Sequence, residues 1–125
     1  MTDIAAWVFA AIALFAASFQ FALAGGAPLG ELAMGGRFPG KFPAQMRVAA
    51  VVQGIIIGGL AAIVLTKAGV VATPLDAPWL IWIVVAFSSV SLFVNAISPS
   101  PKERRIWVPA AIVMLATSLI VALTG

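Results

Sequence analysis

IAAWVFAAIALFAASFQFAL, residues 4–23, runs for twenty residues without a charge. A hydrocarbon core about 30 Å thick is crossed by about 20 apolar residues of helix, so this stretch reads as a membrane span. Three more runs follow, over 48–65, 79–97 and 106–123. The chain as a whole agrees, being 63% hydrophobic and 9% charged, with a mean hydropathy of +1.17. Globular domains hold roughly 45–50% apolar and about 25% charged residues. The sequence therefore predicts one all-α domain over residues 1–125, a four-transmembrane-helix bundle.

Charge sets the expected orientation. Arg37, Lys41 and Arg47 lie between or beside the first two runs, and Lys102, Arg104 and Arg105 lie between the last two. Only Lys67 falls elsewhere. Short loops rich in Lys and Arg stay in the cytoplasm, which puts both termini outside. The first run could be read as a secretory signal with an A-x-A site at Ala22-Leu23-Ala24. Its only charged side chain is Asp3 and it is longer than the usual 7–15 residues, so an uncleaved helix is expected. Trp7, Trp79 and Trp82 fall at the outer ends and Trp107 at an inner end, as interfacial belts would place them.

Local signals mark the helix ends. Ser100-Pro101-Lys102-Glu103 is a capping box: Ser100 should accept from the Glu103 backbone, with the Glu103 side chain reaching back. Helix four should then start at Pro101 and bend at Pro109. Thr73-Pro74-Leu75-Asp76 could start helix three early, and Pro43 could occupy the first turn of helix two.

Small residues suggest how the helices meet. Ala50, Gly54, Gly58 and Ala62 recur every fourth residue, and Ala6, Ala10, Ala13 and Ala17 offer a matching face in span one. Such faces allow close backbone approach in lipid. Packing of span one on span two is expected, with a homodimer through the span-two face as the alternative. Gln20, Gln53 and Asn95 fall in the cytoplasmic half, and Ser88, Ser91, Asn95 and Ser98 share one face. These groups should point into the bundle. They would serve either as interhelical hydrogen bonds, each worth about 0.6 kcal/mol, or as the lining of a polar pocket.

The segment GGAPLGELAMGGRFPGKF, residues 25–42, holds six of eleven glycines. Loops beyond about 12–15 residues are uncommon in compact domains and usually have a use. Leu29, Leu32, Met34, Phe38 and Phe42 predict a folded or membrane-dipping loop. Within it, Glu31 could pair with Arg37, and Gly35-Gly36-Arg37 could form an anion-binding nest. A lid anchored to anionic lipid by its basic residues would look the same.

Three absences narrow the chemistry. The chain has no Cys, His or Tyr, which removes thiolates, the commonest general base, the commonest metal ligand and a phenol acid. No catalytic residue, metal site or cofactor is expected. The excess of three positive charges is accounted for by topology, so no nucleic-acid partner is expected either.

GAPLGE (26–31), GGRFPGKFP (35–43) and ISPSPKERRIWVP (97–109) together resemble a group of small bacterial four-helix integral membrane proteins of uncharacterised activity. That resemblance implies a bacterial inner (cytoplasmic) membrane setting and no particular activity. It draws attention to Glu31, Arg37, Lys41, Arg47, Glu103, Arg104 and Arg105.

The functional expectation is non-enzymatic binding or carrying of an amphipathic or anionic ligand or lipid at the cytoplasmic face. Arg37, Arg47, Arg104 and Arg105 would hold an acidic head group, since guanidinium pairs bidentately with acids, and Glu31 is a further ligand-binding candidate. Gln20, Gln53 and Asn95 would line the deeper part. On this reading Arg37→Ala weakens ligand retention more than Lys67→Ala does. An accessory subunit of a larger membrane complex and a small dimeric transporter are the alternatives. Proton coupling ranks lower, because no span holds an interior ionisable residue.

Overall fold

In the computed structural model, which describes residues 1–125, the four apolar runs are helices. They are α1 (Thr2–Ala24), α2 (Ala44–Lys67), α3 (Leu80–Ala96) and α4 (Pro101–Thr124), and there is no strand. At 1.5 Å per residue, the 23 or 24 residues of α1, α2 and α4 extend about 35 Å. These three are long and apolar enough to cross a membrane. The 17 residues of α3 give about 26 Å, somewhat less than a hydrocarbon core.

The helices stop where their backbone signals say they should. Gly26 and Gly69 both take positive φ just past α1 and α2. In each case the next residue donates back five positions, Ala27 to Ala22 and Val70 to Leu65. This is the Schellman arrangement, which glycine enters without a Cβ clash. At the start of α4, Ser100 Oγ accepts from the Glu103 N–H at 3.3 Å, as the capping box requires. The reciprocal half differs from expectation, for the Glu103 side chain turns away and Ser100 N–H is taken by Ser98 Oγ at 3.2 Å.

Two other end signals are also corrected. Thr73 starts no helix: its Oγ1 meets Thr66 Oγ1 at 2.7 Å and accepts from Leu75 N–H at 3.1 Å, and α3 waits until after Pro78. Pro43 sits one residue before α2 rather than in its first turn. α4 continues through Pro109.

Packing runs in the order α2, α1, α4, α3. The α1–α2 contact is the most extensive, followed by α3–α4 and α1–α4, while α2 barely touches α3 or α4. α1 buries Ala5, Ala6, Phe9, Ala13, Ala16 and Ala17. α2 buries Ala50, Gly54, Ile57, Leu60 and Val64.

The straight line of small residues expected on α2 therefore breaks after Gly54. Four residues turn a helix through about 400°, so an i+4 line drifts roughly 40° per step. By Gly58 it has left the seam, and that glycine is exposed with no neighbour near its missing Cβ. The observed seam advances by steps of four, three, three and four instead. At Gly54 a Cβ would come within 2.8 Å of the Phe21 ring, marking the close approach of α1.

Only 25 of 125 residues are buried, while Ile4, Leu14, Val48, Ile55 and Phe93 are all more than 60% exposed. An exterior that apolar is matched to hydrocarbon rather than water. The two ends of the bundle are distinct. Thr2 and Thr124 meet through their hydroxyls at 2.5 Å at one end. Glu31 and Lys102 pair at 3.0 Å at the other, so the loop after α1 and the α3–α4 link share an end.

Candidate functional site

The loop joining α1 to α2 is folded, as its apolar content predicts, and seated on α4. Two short 3-10 turns, Gly30–Leu32 and Met34–Gly36, give it shape. Gly30 is buried in a crossing of the loop on itself, donating to the Gly40 carbonyl at 2.9 Å. Three residues of α4's first two turns then hold the loop. Ser100 Oγ donates to the Glu31 carbonyl at 2.9 Å. The Glu103 carboxylate accepts from the Gly35 N–H at 3.0 Å. Trp107 Nε1 donates to the Leu32 carbonyl at 2.8 Å.

Residues 100, 103 and 107 recur at helical spacing and so lie along one face. The anion met by Gly35 is thus the protein's own carboxylate, which occupies the N–H that the expected nest would have offered.

Beneath this loop lies a partly open cavity of about 680 Å³, a size within the usual range for small-molecule sites. It is bounded by all four helices, and 18 of its 27 lining residues are hydrophobic. Its polar members include Gln20 from α1, Gln53 from α2, Ser91 and Asn95 from α3, Arg37 from the loop, and Glu103. The sparse contact between α2 and α3 leaves the cavity its width.

The three amides do not bond to one another. Asn95 Nδ2 turns to its own helix, donating to the Ser91 carbonyl at 2.7 Å, while Gln20 and Gln53 line the cavity. Met34 also lines it and is the one non-glycine residue with positive φ, at 53°. That conformation is uncommon outside glycine and strained backbone gathers at binding sites.

Of the eight residues singled out from sequence as ligand contacts, four border this cavity: Gln20, Arg37, Gln53 and Asn95. The other four have different surroundings. Glu31 pairs with Lys102 rather than Arg37, and with both side chains about half exposed the pair is worth about 0–1 kcal/mol. Arg47 Nε donates to the Phe42 carbonyl at 3.1 Å. Arg104 turns back to the Ser98 carbonyl beyond the end of α3, where a cation suits the helix dipole. Arg105, exposed, joins Arg104 in a separate shallow groove beside Ala96 and Pro101. The four arginines consequently do not converge as a clamp.

Glu103 and Trp107, which also line the cavity, lie outside that sequence set. Glu103 reads as half of a capping box, yet it is 4% exposed and faces the cavity. Trp107 reads as an interfacial belt residue, yet it is turned inward, its ring 4.9 Å from Phe19 and 5.6 Å from Phe15. The i, i+3, i+7 pattern of Ser100, Glu103 and Trp107 was the signal available for both. Comparison of the chain with protein-family models, with curated proteins and with solved structures found no match.

Proposed function

We propose that this is a non-enzymatic four-span membrane protein that binds or carries a small amphipathic molecule in the cavity beneath its first loop. The observation that carries this reading is an apolar chamber of about 680 Å³ whose polar groups collect near the loop. Side-chain amides there are not spent on interhelical bonds. Such a lining suits a molecule with an apolar body and one polar end. The wide gap between α2 and α3 gives that body a route from the bilayer.

The same reading takes α3 as the fourth span, its flanking residues making up the length. It places the loop end in the cytoplasm by the basic residues around it, with both termini outside. A bacterial inner membrane is the setting proposed. Without His, Cys or Tyr the cavity offers few groups for acid–base or nucleophilic chemistry.

Native mass spectrometry of protein extracted from membranes tests this. Wild type is expected to carry a non-protein adduct into the gas phase. Ala49→Trp fills the cavity from an exposed, cavity-lining position of α2 and should lose the adduct. Lys67→Ala, at the far end of α2, should keep it. An adduct equally abundant in all three would count against the cavity.

A further inference from the structure

Glu103 is the one acidic side chain buried in the protein, 4% exposed and bordering the cavity. One carboxylate oxygen, Oε2, takes the Gly35 N–H. The other, Oε1, accepts no hydrogen bond and is not among the polar atoms sealed from contact. No basic side chain lies within 4.0 Å of it, since the only ion pair is Lys102–Glu31. The surrounding cations are engaged elsewhere or solvated: Lys102 on Glu31, Arg104 on the Ser98 carbonyl, Arg47 on the Phe42 carbonyl, and Arg37 exposed at the cavity's edge.

A buried carboxylate normally has a charged or hydrogen-bonding partner. Because Glu103 lines the cavity, we take the open position to face it. The wall beside it is aromatic, for Trp107 lies one turn further along α4 and Phe19 packs on it, with Phe42 and Phe87 also lining the chamber. Carboxylate and aromatic faces together are the surroundings that favour an ammonium group.

Taking the cavity as a ligand site, as above, we propose that its ligand is an amphipathic amine, whose cationic N–H group is held by Glu103 Oε1 against the Trp107 wall. An anionic head would leave that oxygen without a donor, and a hydroxyl would supply a donor without the opposite charge.

The test uses the full chain in phosphatidylcholine vesicles, with Trp7, Trp79 and Trp82 changed to Phe so that Trp107 alone reports. Decylamine, decanol and decyl sulfate are titrated at neutral pH. Decylamine should bind saturably and at least about tenfold more tightly than the other two, the ratio a charge-assisted hydrogen bond provides. Glu103→Gln keeps an oxygen for the Gly35 N–H, so it should hold the loop while losing the amine preference. Lys67→Ala, at the far end of α2, should leave amine binding undiminished.

Equal binding of decylamine and decanol by the wild type overturns the amine assignment whatever the variants do. So does a Glu103→Gln protein that keeps the preference, or a Lys67→Ala protein that loses it. Saturable decanol binding without amine preference would leave the cavity standing and remove only this assignment. No saturable binding of any of the three would remove both.

Discussion

Gly30→Ala is expected to unseat the first loop. A Cβ at this position would sit 1.7 Å from the Phe38 carbonyl oxygen and 2.7 Å from that of Gly40. Both are backbone atoms and cannot swing aside, so the two strands of the loop must separate. The Gly30–Gly40 hydrogen bond goes with them. Overpacking of this kind costs about 1–3 kcal/mol, drawn here from one loop rather than spread through a bundle.

Trypsin cleavage after Arg37 and Lys41 should therefore accelerate at least about tenfold, the factor that 1.4 kcal/mol of local opening corresponds to, while the helices stay intact. Gly54→Ala is the control. Its Cβ would also meet an atom at 2.8 Å, but that atom belongs to the half-exposed Phe21 ring, which can rotate away. Cleavage in Gly54→Ala should match wild type. Equal sensitivity in all three proteins would mean that the loop is not folded on itself as described.

Trp107→Ala should be the most damaging single change at the loop end. The ring packs at a tilt against Phe15 and Phe19, and its N–H holds the Leu32 carbonyl. Truncation removes the link between α1, α4 and the loop at once. Large-to-small aromatic changes cost about 3–5 kcal/mol. The lower end applies, because in lipid the packing term acts without full transfer from water. Trp107→Phe keeps most of the ring and drops the hydrogen bond, a change of about 1 kcal/mol. Denaturation in mixed micelles should rank the proteins wild type, then Trp107→Phe, then Trp107→Ala. A Trp107→Ala protein as stable as wild type would show that the indole merely faces the interface.

Much of the architecture was legible because hydrophobic length is a one-dimensional signal. The start of α4 at Pro101 followed from Ser100. Packing was legible only in part. Ala50 and Gly54 meet α1, but the same i+4 reasoning carried Gly58 onto a face that helical drift turns outward. The amides were readable for a simple reason: polar groups within spans must face protein or a cavity.

Charge at the loop end was harder to read. Lys102 and Arg37 are both within reach of Glu31 as far as sequence shows, and only the fold chooses Lys102. Glu103 was hidden by its own motif. The capping box accounts for its position, so its second role shows in the letters only as the i, i+3, i+7 spacing it shares with Ser100 and Trp107. What revealed it was the loop brought back over α4, a contact between residues 68 positions apart.

Density from crystals of the protein grown in lipid tests the central claim most directly. The account predicts the loop seated on α4, with Glu103 on the Gly35 N–H, and elongated non-protein density running from there past Gln20, Gln53 and Asn95. Closure of α2 onto α3, with those amides bonded to each other and no space between them, would contradict it.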